Sequence, residues 1–308
     1  MAPAYVGRLA PSPTGAIHQG TARSCLAAWL DCRAHGGCLV LRIEDVDRPR
    51  CVPGAEAALI RDLSWLGLDW DEGPGAGSSK GPFRQSERTS GYRAALEALA
   101  ARGRTFPCTC SRREVGARYP GTCRHGPRPD RPHPGAGRVA AVRFRTEADD
   151  RVCIRDRLFG VVEQDVHAEV GDFVLRRADG LTAYQLAVTV DDLAQGVTHV
   201  VRGSDLLDSA PRQALLRNCL APDAPALEWL HVPLIVATHG KKLSKRDGAV
   251  PLANLRDRGL GPREVVGALA SSLGLVPPGT AIGPDALVPL WRVDRLPAED
   301  QVADSVGL

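Results

Sequence analysis

The order of apolar segments in the first hundred residues constrains the fold more than any other feature of the chain. Two short apolar runs, YVGRLA and GGCLVLRIED, have the length and composition of buried strands. Longer segments carry apolar residues at helical spacing: TARSCLAAWLDCRAH, PGAEAALIRDLSWLGL and RTSGYRAALEALAARG. This alternation of strand and helix predicts an α/β fold with a doubly wound, parallel sheet of the Rossmann type.

The alternation breaks at residue 107. Residues 107–137 are rich in proline and glycine, and the segment HGPRPDRPHPGAG at their end excludes regular structure. Short strands are predicted further on, in VAAVRFRT, GVVEQDVHAEV and DFVLRRADG. We therefore predict an inserted α+β subdomain at residues 107–180.

The sheet pattern returns after the predicted insertion. Strands are predicted in AYQLAVTVDD, VTHVVRG and HVPLIVA, with a helix over SAPRQALLRNCL. The sequence thus predicts one sheet domain in two halves, residues 1–106 and 181–250. A short helical region is predicted at residues 251–308.

The composition is that of an ordinary globular protein, with 44% apolar and 24% charged residues. The net charge of +3 is too small to argue by itself for a nucleic-acid partner. The start of the chain lacks the pattern of a signal peptide, and no apolar run reaches the ~18 residues of a membrane span. We expect a cytoplasmic monomer with no membrane association.

A proline- and glycine-rich turn, APSPTGAIHQG, follows the first predicted strand. It would bring His18 and Gly20 to the N-terminus of a helix, where unpaired backbone N–H groups and the helix dipole suit a phosphate. Gly20 would let a base or a phosphate approach the backbone closely. The alternative is an ordinary turn with one solvent-facing histidine.

Three of the four lysines in the chain lie in one segment, GKKLSKRDG at residues 240–248. Lysine is a mobile point charge, whereas arginine is a rigid planar fork. A loop that follows a moving phosphate favours lysine, and Ser244 and the flanking glycines suit such a loop. The alternative is a solvated basic turn.

These two segments together resemble the signature pair of class I aminoacyl-tRNA synthetases. HQGT at residues 18–21 corresponds to the HIGH motif of that family, and KLSKR at residues 242–246 corresponds to KMSKS. The surrounding text resembles the glutamyl branch from residue 5 to about residue 250, in RLAPSPTG, LRIEDVDRPR, AYQLAVTVDD, GVTHVVRGSDLL and KLSKRDG. The resemblance implies a ligase in which glutamate attacks the α-phosphate of ATP, giving glutamyl-adenylate and pyrophosphate.

The resemblance also implies roles for individual residues. The catalytic residues would be His18, Lys242 and Lys245, and Mg²⁺ would arrive with ATP. The ATP site would consist of His18, Gly20, Thr21, Lys242, Ser244 and Lys245. The glutamate pocket would consist of Arg8, Leu9, Ala10, Pro11, Ser12, Glu44, Tyr184 and Arg202.

Within that pocket, Arg8 and Arg202 can each bind a carboxylate through two hydrogen bonds. Glu44 can hold the ammonium group, and Tyr184 can add a hydroxyl. We assign Arg8 to the side-chain carboxylate of glutamate. The reverse assignment stays open, as does a structural ion pair for Arg8 or Glu44.

The segment CTCSRREVGARYPGTC has the spacing of a metal site. Its three thiols, Cys108, Cys110 and Cys123, lie within sixteen residues and can converge on one structural Zn²⁺. Chemistry alone favours His125 as the fourth ligand, because tyrosinate is rare in that role. The resemblance to glutamyl synthetases with a C-x-C…Y-x₃-C site implies Tyr119 instead. A metal-free cysteine cluster is the alternative.

Only 62 residues follow Arg246, too few for the anticodon-binding domain of an ordinary glutamyl-tRNA synthetase. The chain resembles short members of the family that activate glutamate without RNA and transfer it to queuosine, a modified anticodon base. The expected partners are ATP, L-glutamate and tRNA(Asp) that bears queuosine. Two alternatives stay open: a minimal synthetase that charges a tRNA acceptor end, and a catalytically silent RNA-binding relative.

Overall fold

The computed structural model describes residues 5–75, 78, 80–116, 118–126, 128, 130, 139–237 and 250–302. The strands are β1 (Val6–Leu9), β2 (Cys38–Leu41), β3 (Thr105–Cys108), β4 (Ala141–Phe144), β5 (Arg151–Asp156), β6 (Gly160–Asp165), β7 (Val174–Arg176), β8 (His199–Gly203), β9 (Glu228–Val232), β10 (Ile235–Val236) and β11 (Gln301–Val302). The helices are α1 (Gln19–Ala34), α2 (Ala55–Trp65), α3 (Thr89–Ala101), α4 (Arg112–Val115), α5 (Tyr184–Ala194), α6 (Ala210–Leu220), α7 (Leu252–Asp257), α8 (Pro262–Ser272) and α9 (Pro284–Leu287).

Parallel strand pairs form the centre of the molecule. β1 pairs with β2 from Val6↔Cys38 onward, and β8 pairs with β9 along its whole length. The backbone N–H of Thr198, just before β8, donates to the carbonyl of Val6 at 3.0 Å, so β1 lies beside β8. The predicted α/β class with parallel strands is therefore confirmed.

The sheet is mixed rather than wholly parallel. β5 and β6 form an antiparallel hairpin inside the predicted insertion, and β5 also pairs in parallel with β9 at Asp156↔Trp229. A second, antiparallel sheet has the order β3-β4-β7. Because β3 begins at Thr105, that sheet spans the boundary predicted at residue 107.

The prediction of a strand in AYQLAVTVDD is wrong, because this segment forms α5. Val188, Thr189 and Val190 have high strand propensity, but such propensity is weak compared with tertiary packing. In the helix, the Thr189 hydroxyl donates to the carbonyl of Gln185 at 2.8 Å. The helix also buries Asp191 and Asp192 near its C-terminus, where they pair with Arg88 and Arg42.

The prediction that GVVEQDVHAEV forms a strand is correct only for its first half. Its first six residues form β6, but Val166–Val170 forms a single π-helical turn. The Asp165 carboxylate accepts a hydrogen bond from the N–H of Ala168 at 2.8 Å, which starts the turn. Asp165 therefore ends the strand by capping the turn that follows.

The hydrophobic core encloses α1. Leu26 and Leu30 of α1 lie in one buried cluster with Leu39 of β2 and Leu269 of α8, and all four are at most 1% exposed. This packing fixes the N-terminus of α1 at the carboxyl edge of the parallel strands, where ligands bind in sheets of this kind.

Residues 251–302 contain α7, α8 and α9, and they end in β11, which pairs with β10. The buried Arg23 of α1 joins this region to the core, because its guanidinium donates to the side chain of Ser272 at 3.0 Å and to its carbonyl at 2.9 Å. None of the helices within the described ranges combines the length and apolar character needed to cross a membrane.

Candidate active site

A cleft of about 410 Å³ opens at the carboxyl ends of β1 and β8. Eleven residues predicted to bind glutamate or ATP line it: Arg8, Leu9, Ala10, Pro11, Ser12, His18, Gly20, Thr21, Glu44, Tyr184 and Arg202. They come from segments far apart in the chain, so the fold brings the two predicted subsites together. Lys242, Ser244 and Lys245 lie outside the described residues, and their roles stay predictions.

His18 forms the N-cap of α1. Its backbone is extended, with φ −109° and ψ 166°, and its Nδ1 accepts a hydrogen bond from the Thr21 N–H at 3.4 Å. The Thr21 hydroxyl lies 3.3 Å from Nε2 of the same ring. The imidazole is thereby held at the positive end of the helix, where phosphate charge is stabilised.

Gly20 leaves room for this imidazole. A Cβ atom at position 20 would lie 3.3 Å from both Cε1 and Nδ1 of His18. The close approach at Gly20 therefore comes from the His18 imidazole, in addition to the approach of a ligand expected from the sequence.

A buried ion-pair cluster supports one wall of the cleft. Arg42 is fully buried and donates to Asp192 at 2.7 Å and to Glu44 at 3.2 Å. Burial raises the pKa of Glu44, and the positive charges of Arg42 and Arg8 only partly offset it. Sequence reasoning missed Arg42 and Asp192, although a charged residue in the buried run LVLRIE was a usable signal.

Arg8 lies against this cluster. Its guanidinium donates to the carbonyl of Val201 at 2.9 Å, and its Nε lies 3.9 Å from Asp192. The Nε–H is buried and has no acceptor among the residues that the structure describes. A buried donor in this state is costly unless a ligand satisfies it.

Arg202 has different surroundings. Its guanidinium donates to Nε2 of His231 at 2.9 Å, to Oε1 of Gln213 at 2.8 Å and to the carbonyl of Leu206 at 3.0 Å. The hydroxyl of Tyr184 lies 3.4 Å away. All of these acceptors are neutral, and burial lowers the pKa of Arg202. A bound carboxylate would supply the anion that this buried cation needs.

The chemical capacity of the cleft follows from these groups. Two buried guanidiniums and a carboxylate can bind a molecule with two carboxylates and one ammonium group. The N-terminus of α1 with His18 can bind phosphate beside it. The cleft can therefore hold an acidic amino acid next to a nucleotide phosphate.

The predicted metal ligands also come together. The sulfur atoms of Cys108, Cys110 and Cys123 lie within 4.8 Å of one another, and those of Cys110 and Cys123 are 3.7 Å apart. The Tyr119 hydroxyl lies 3.4 Å from the Cys108 sulfur and 3.9 Å from that of Cys110. His125, which the structure also describes, is not part of this group.

This donor set fits zinc. Zn–S bonds of about 2.3 Å in a tetrahedron place sulfur atoms ~3.8 Å apart. Burial alone would raise the pKa of the Cys123 thiol, but hydrogen bonds from the Thr109 backbone, Tyr119 and the neighbouring cysteines lower it to about 7. The thiolate that binds metal is therefore accessible near neutral pH.

Comparison with known proteins identifies the family. The family described as tRNA synthetases class I (E and Q), catalytic domain, matches residues 5–279. The glutamyl-Q tRNA(Asp) synthetase of Symbiobacterium thermophilum is 46% identical over 307 residues, covering 95% of this chain and 94% of that protein. The protein of the same name from Nitratidesulfovibrio vulgaris is 42% identical over 313 residues, covering 96% of this chain and 94% of the relative.

A solved structure gives the same answer for the fold. The glutamate-tRNA synthetase of Elizabethkingia anophelis superposes with a TM-score of 0.81 at 25% identity, covering 98% of this chain and 69% of that one. The resemblance drawn from HQGT and KLSKR is thereby confirmed. The chain belongs to the class I tRNA synthetases, in the family of E and Q catalytic domains.

Proposed function

We propose that the protein is a ligase that activates L-glutamate with ATP and transfers the glutamyl group to queuosine in the anticodon of tRNA(Asp). The relatives from Symbiobacterium and Nitratidesulfovibrio, named glutamyl-Q tRNA(Asp) synthetases, support this proposal, because the match extends over 94% of each. The observation that carries the choice of substrate is the pair of buried guanidiniums, Arg8 and Arg202, in one cleft with Glu44.

In the first step, an oxygen of the glutamate α-carboxylate attacks the α-phosphorus of ATP. A bond from phosphorus to that oxygen forms as the bond to pyrophosphate breaks, and pyrophosphate leaves with the electron pair. Negative charge grows on the phosphates, and His18, Lys242 and Lys245 are the proposed donors that stabilise it. Each such donor typically contributes about 3–4 kcal/mol, or ~10²–10³ in rate. Mg²⁺ bound with ATP would neutralise further phosphate charge.

In the second step, a hydroxyl on the cyclopentenediol ring of queuosine attacks the carbonyl carbon of the adenylate. An ester bond forms, the bond to AMP breaks, and the hydroxyl proton is lost. This is the acyl transfer that a synthetase performs on a terminal ribose, so the same cleft serves it.

We further propose that Arg202 binds the side-chain carboxylate of glutamate. Ammonium and α-carboxylate share one carbon atom, so the α-carboxylate lies near Glu44. Arg42 links Glu44 to Asp192, which lies beside Arg8. That leaves Arg202, with its neutral acceptors, for the far end of the substrate. This reverses the assignment of Arg8 made from the sequence, and substitution of each arginine distinguishes the two assignments.

We propose one structural zinc ion held by Cys108, Cys110, Cys123 and Tyr119. The ion would cross-link the end of β3 to the loop that carries Tyr119, and it takes no part in either reaction step. The sulfur separations and the position of the Tyr119 hydroxyl support this ligand set over one with His125. ATP and Mg²⁺, by contrast, belong to the cleft.

The activation step is tested by glutamate-dependent exchange of pyrophosphate into ATP in the absence of RNA. We expect exchange with glutamate and far less with glutamine. Exchange that depended on added tRNA(Glu) would favour a minimal synthetase acting on an acceptor end. No exchange with any of these additions would favour the silent RNA-binding relative.

A further inference from the structure

A line of buried side chains leads from Arg202 away from the cleft. Nε of Arg202 donates to Nε2 of His231 on β9 at 2.9 Å, and Nδ1 of that ring lies 2.7 Å from a carboxylate oxygen of Asp156 at the end of β5. His231 is 0% exposed and Asp156 is 2% exposed. Neither residue lines the cleft, and the reaction proposed above uses neither.

The hydrogen bonds fix the state of the imidazole. Arginine only donates, so Nε2 must be the accepting nitrogen and cannot carry a proton. The ring proton therefore lies on Nδ1 and is donated to Asp156. His231 is neutral in this arrangement, and a doubly protonated ring would face Arg202 with an N–H against an N–H.

Asp156 is held from several sides. One carboxylate oxygen accepts from Nδ1 and from the backbone N–H of His231, the latter at 3.0 Å. The other oxygen accepts from the backbone N–H groups of Leu158 and Phe159, both at 2.9 Å, in the turn between β5 and β6. The orientation of His231 is therefore set by a carboxylate whose own position is fixed by two strands.

The charges around the two cleft arginines differ as a result. Asp192 lies 3.9 Å from Nε of Arg8, whereas no carboxylate of the described residues forms an ion pair with Arg202. Asp192 and Glu44 act on Arg202 only at longer range, and the neutral imidazole separates it from Asp156. If an acidic residue replaced the imidazole, the guanidinium would form an internal ion pair. With a neutral acceptor, the guanidinium is held in place and its charge remains available to a ligand.

We propose that His231, oriented by Asp156, is a positioning residue that holds Arg202 at the cleft without a carboxylate in direct contact with its guanidinium. It thereby sets the preference of the pocket for a side-chain carboxylate over a carboxamide. This inference rests on the proposed function, because it concerns the pocket for glutamate.

The test compares His231→Gln, which keeps a neutral acceptor, with His231→Leu, which removes it. KM and kcat for glutamate and for glutamine are measured by ATP–pyrophosphate exchange without RNA, and melting temperatures report folding. In the Leu variant we expect KM for glutamate to rise roughly tenfold to a hundredfold, with a smaller change in kcat. The preference for glutamate over glutamine should fall, and the Gln variant should stay much closer to the wild type.

Asp156→Asn supplies the second variant. Asparagine offers one acceptor oxygen where the carboxylate offers two, so His231 loses its fixed orientation and KM for glutamate should rise by a smaller factor. Because Asp156 acts through His231, adding Asp156→Asn to His231→Leu should leave KM at the value of the single Leu variant.

Two results would overturn the inference. One is an unchanged KM in folded His231→Leu, whether or not its melting temperature falls. The other is a Gln variant as impaired in KM as the Leu variant. If His231→Leu yields no folded protein, an unchanged KM for glutamate in Asp156→Asn would contradict the inferred role of His231. A wild-type enzyme without exchange would contradict the proposed function itself, whereas wild-type exchange with any of these patterns contradicts only the role of His231.

Discussion

At the scale of single residues, the two cleft arginines differ in the charges of the groups around them. Arg8 and Arg202 are the same residue type and both are buried, at 4% and 6% exposure. Asp192 compensates part of the charge of Arg8, whereas the acceptors around Arg202 are neutral. The sequence shows two arginines of equal standing, and only the packed structure distinguishes them.

Arg202→Gln should therefore raise KM for glutamate by roughly 10²-fold or more and reduce the discrimination against glutamine. Arg217→Gln is the matched control, because Arg217 is also buried but donates to the carbonyl of Pro225 outside the cleft. Exchange kinetics with both amino acids measure the effect. A larger loss of discrimination in Arg8→Gln would restore the assignment of Arg8 to the side-chain carboxylate.

Gly20 gives a second test at this scale. Gly20→Ala should lower kcat for exchange about tenfold or more, because the new Cβ displaces the His18 imidazole by a few tenths of an ångström and active sites tolerate such shifts poorly. Its stability should not fall, since alanine is favoured over glycine inside a helix by ~1 kcal/mol. Gly283→Ala is the control, because nothing lies within 4 Å of its added Cβ. Equal kcat in the two variants would show that a Cβ atom at position 20 does not disturb the His18 imidazole.

At the scale of elements, the sequence predicted most of the first half of the sheet domain. β1, α1, β2, α2 and α3 lie where apolar periodicity placed them, because each buries one face and keeps the period of its structure. α5 was mistaken for a strand, because Val188, Thr189 and Val190 favour strands locally. The contacts that make it a helix come from Arg42 and Arg88, which are distant in sequence and bind Asp192 and Asp191.

The residues of the candidate site were likewise predicted only in part. The resemblance to class I synthetases implied eleven residues that the structure places in one cleft. Asp192, Gln213 and His231 were missed, because they act through other side chains and lie in segments that read as ordinary core. The role of Lys245 stays a prediction, since it lies outside the described residues.

The cysteine cluster provides a test at this scale. Cys108→Ser should release the zinc that we propose, because a serine hydroxyl replaces a buried thiolate ligand. Metal analysis of purified protein should find about one zinc ion per wild-type chain and markedly less in the variant. Cys153→Ser is the control, because Cys153 is an exposed free thiol. Wild-type protein without zinc would support the metal-free alternative.

At the scale of the whole molecule, Asp31 connects distant parts of the chain. This carboxylate is fully buried and accepts hydrogen bonds from Tyr5 at 2.7 Å, Arg157 at 2.6 Å and Trp291 at 2.8 Å. Burial would raise its pKa, but hydrogen bonds and the charge of Arg157 hold the pKa below its ordinary value. The N-terminal strand, the β5–β6 hairpin and the C-terminal region therefore meet at one charge.

Asp31→Asn should lower the free energy of unfolding by about 3–5 kcal/mol at neutral pH, because it leaves Arg157 without its anion. In the wild type, a folded-state pKa below the unfolded one gives stability that is present above pH ~4 and lost as the pH falls through the lowered pKa. The variant should lose less stability over that range. Urea unfolding from pH 7 to pH 3 measures both effects, with exposed Asp257→Asn as the control. Equal stability of the two variants at pH 7 would refute this role.

The central claim concerns the RNA that receives glutamate, and one measurement tests it most directly. Labelled glutamate and ATP are supplied with two preparations of tRNA(Asp), identical except that one carries queuosine and the other guanosine at that anticodon position. We predict that label enters only the queuosine-bearing RNA, and that it enters equally well when the 3′-terminal nucleotide of that RNA has been removed. Periodate treatment before the reaction should abolish labelling, because it cleaves the cyclopentenediol ring that provides the acceptor hydroxyl. Equal labelling of both preparations, or labelling that requires an intact 3′ end, would contradict the account.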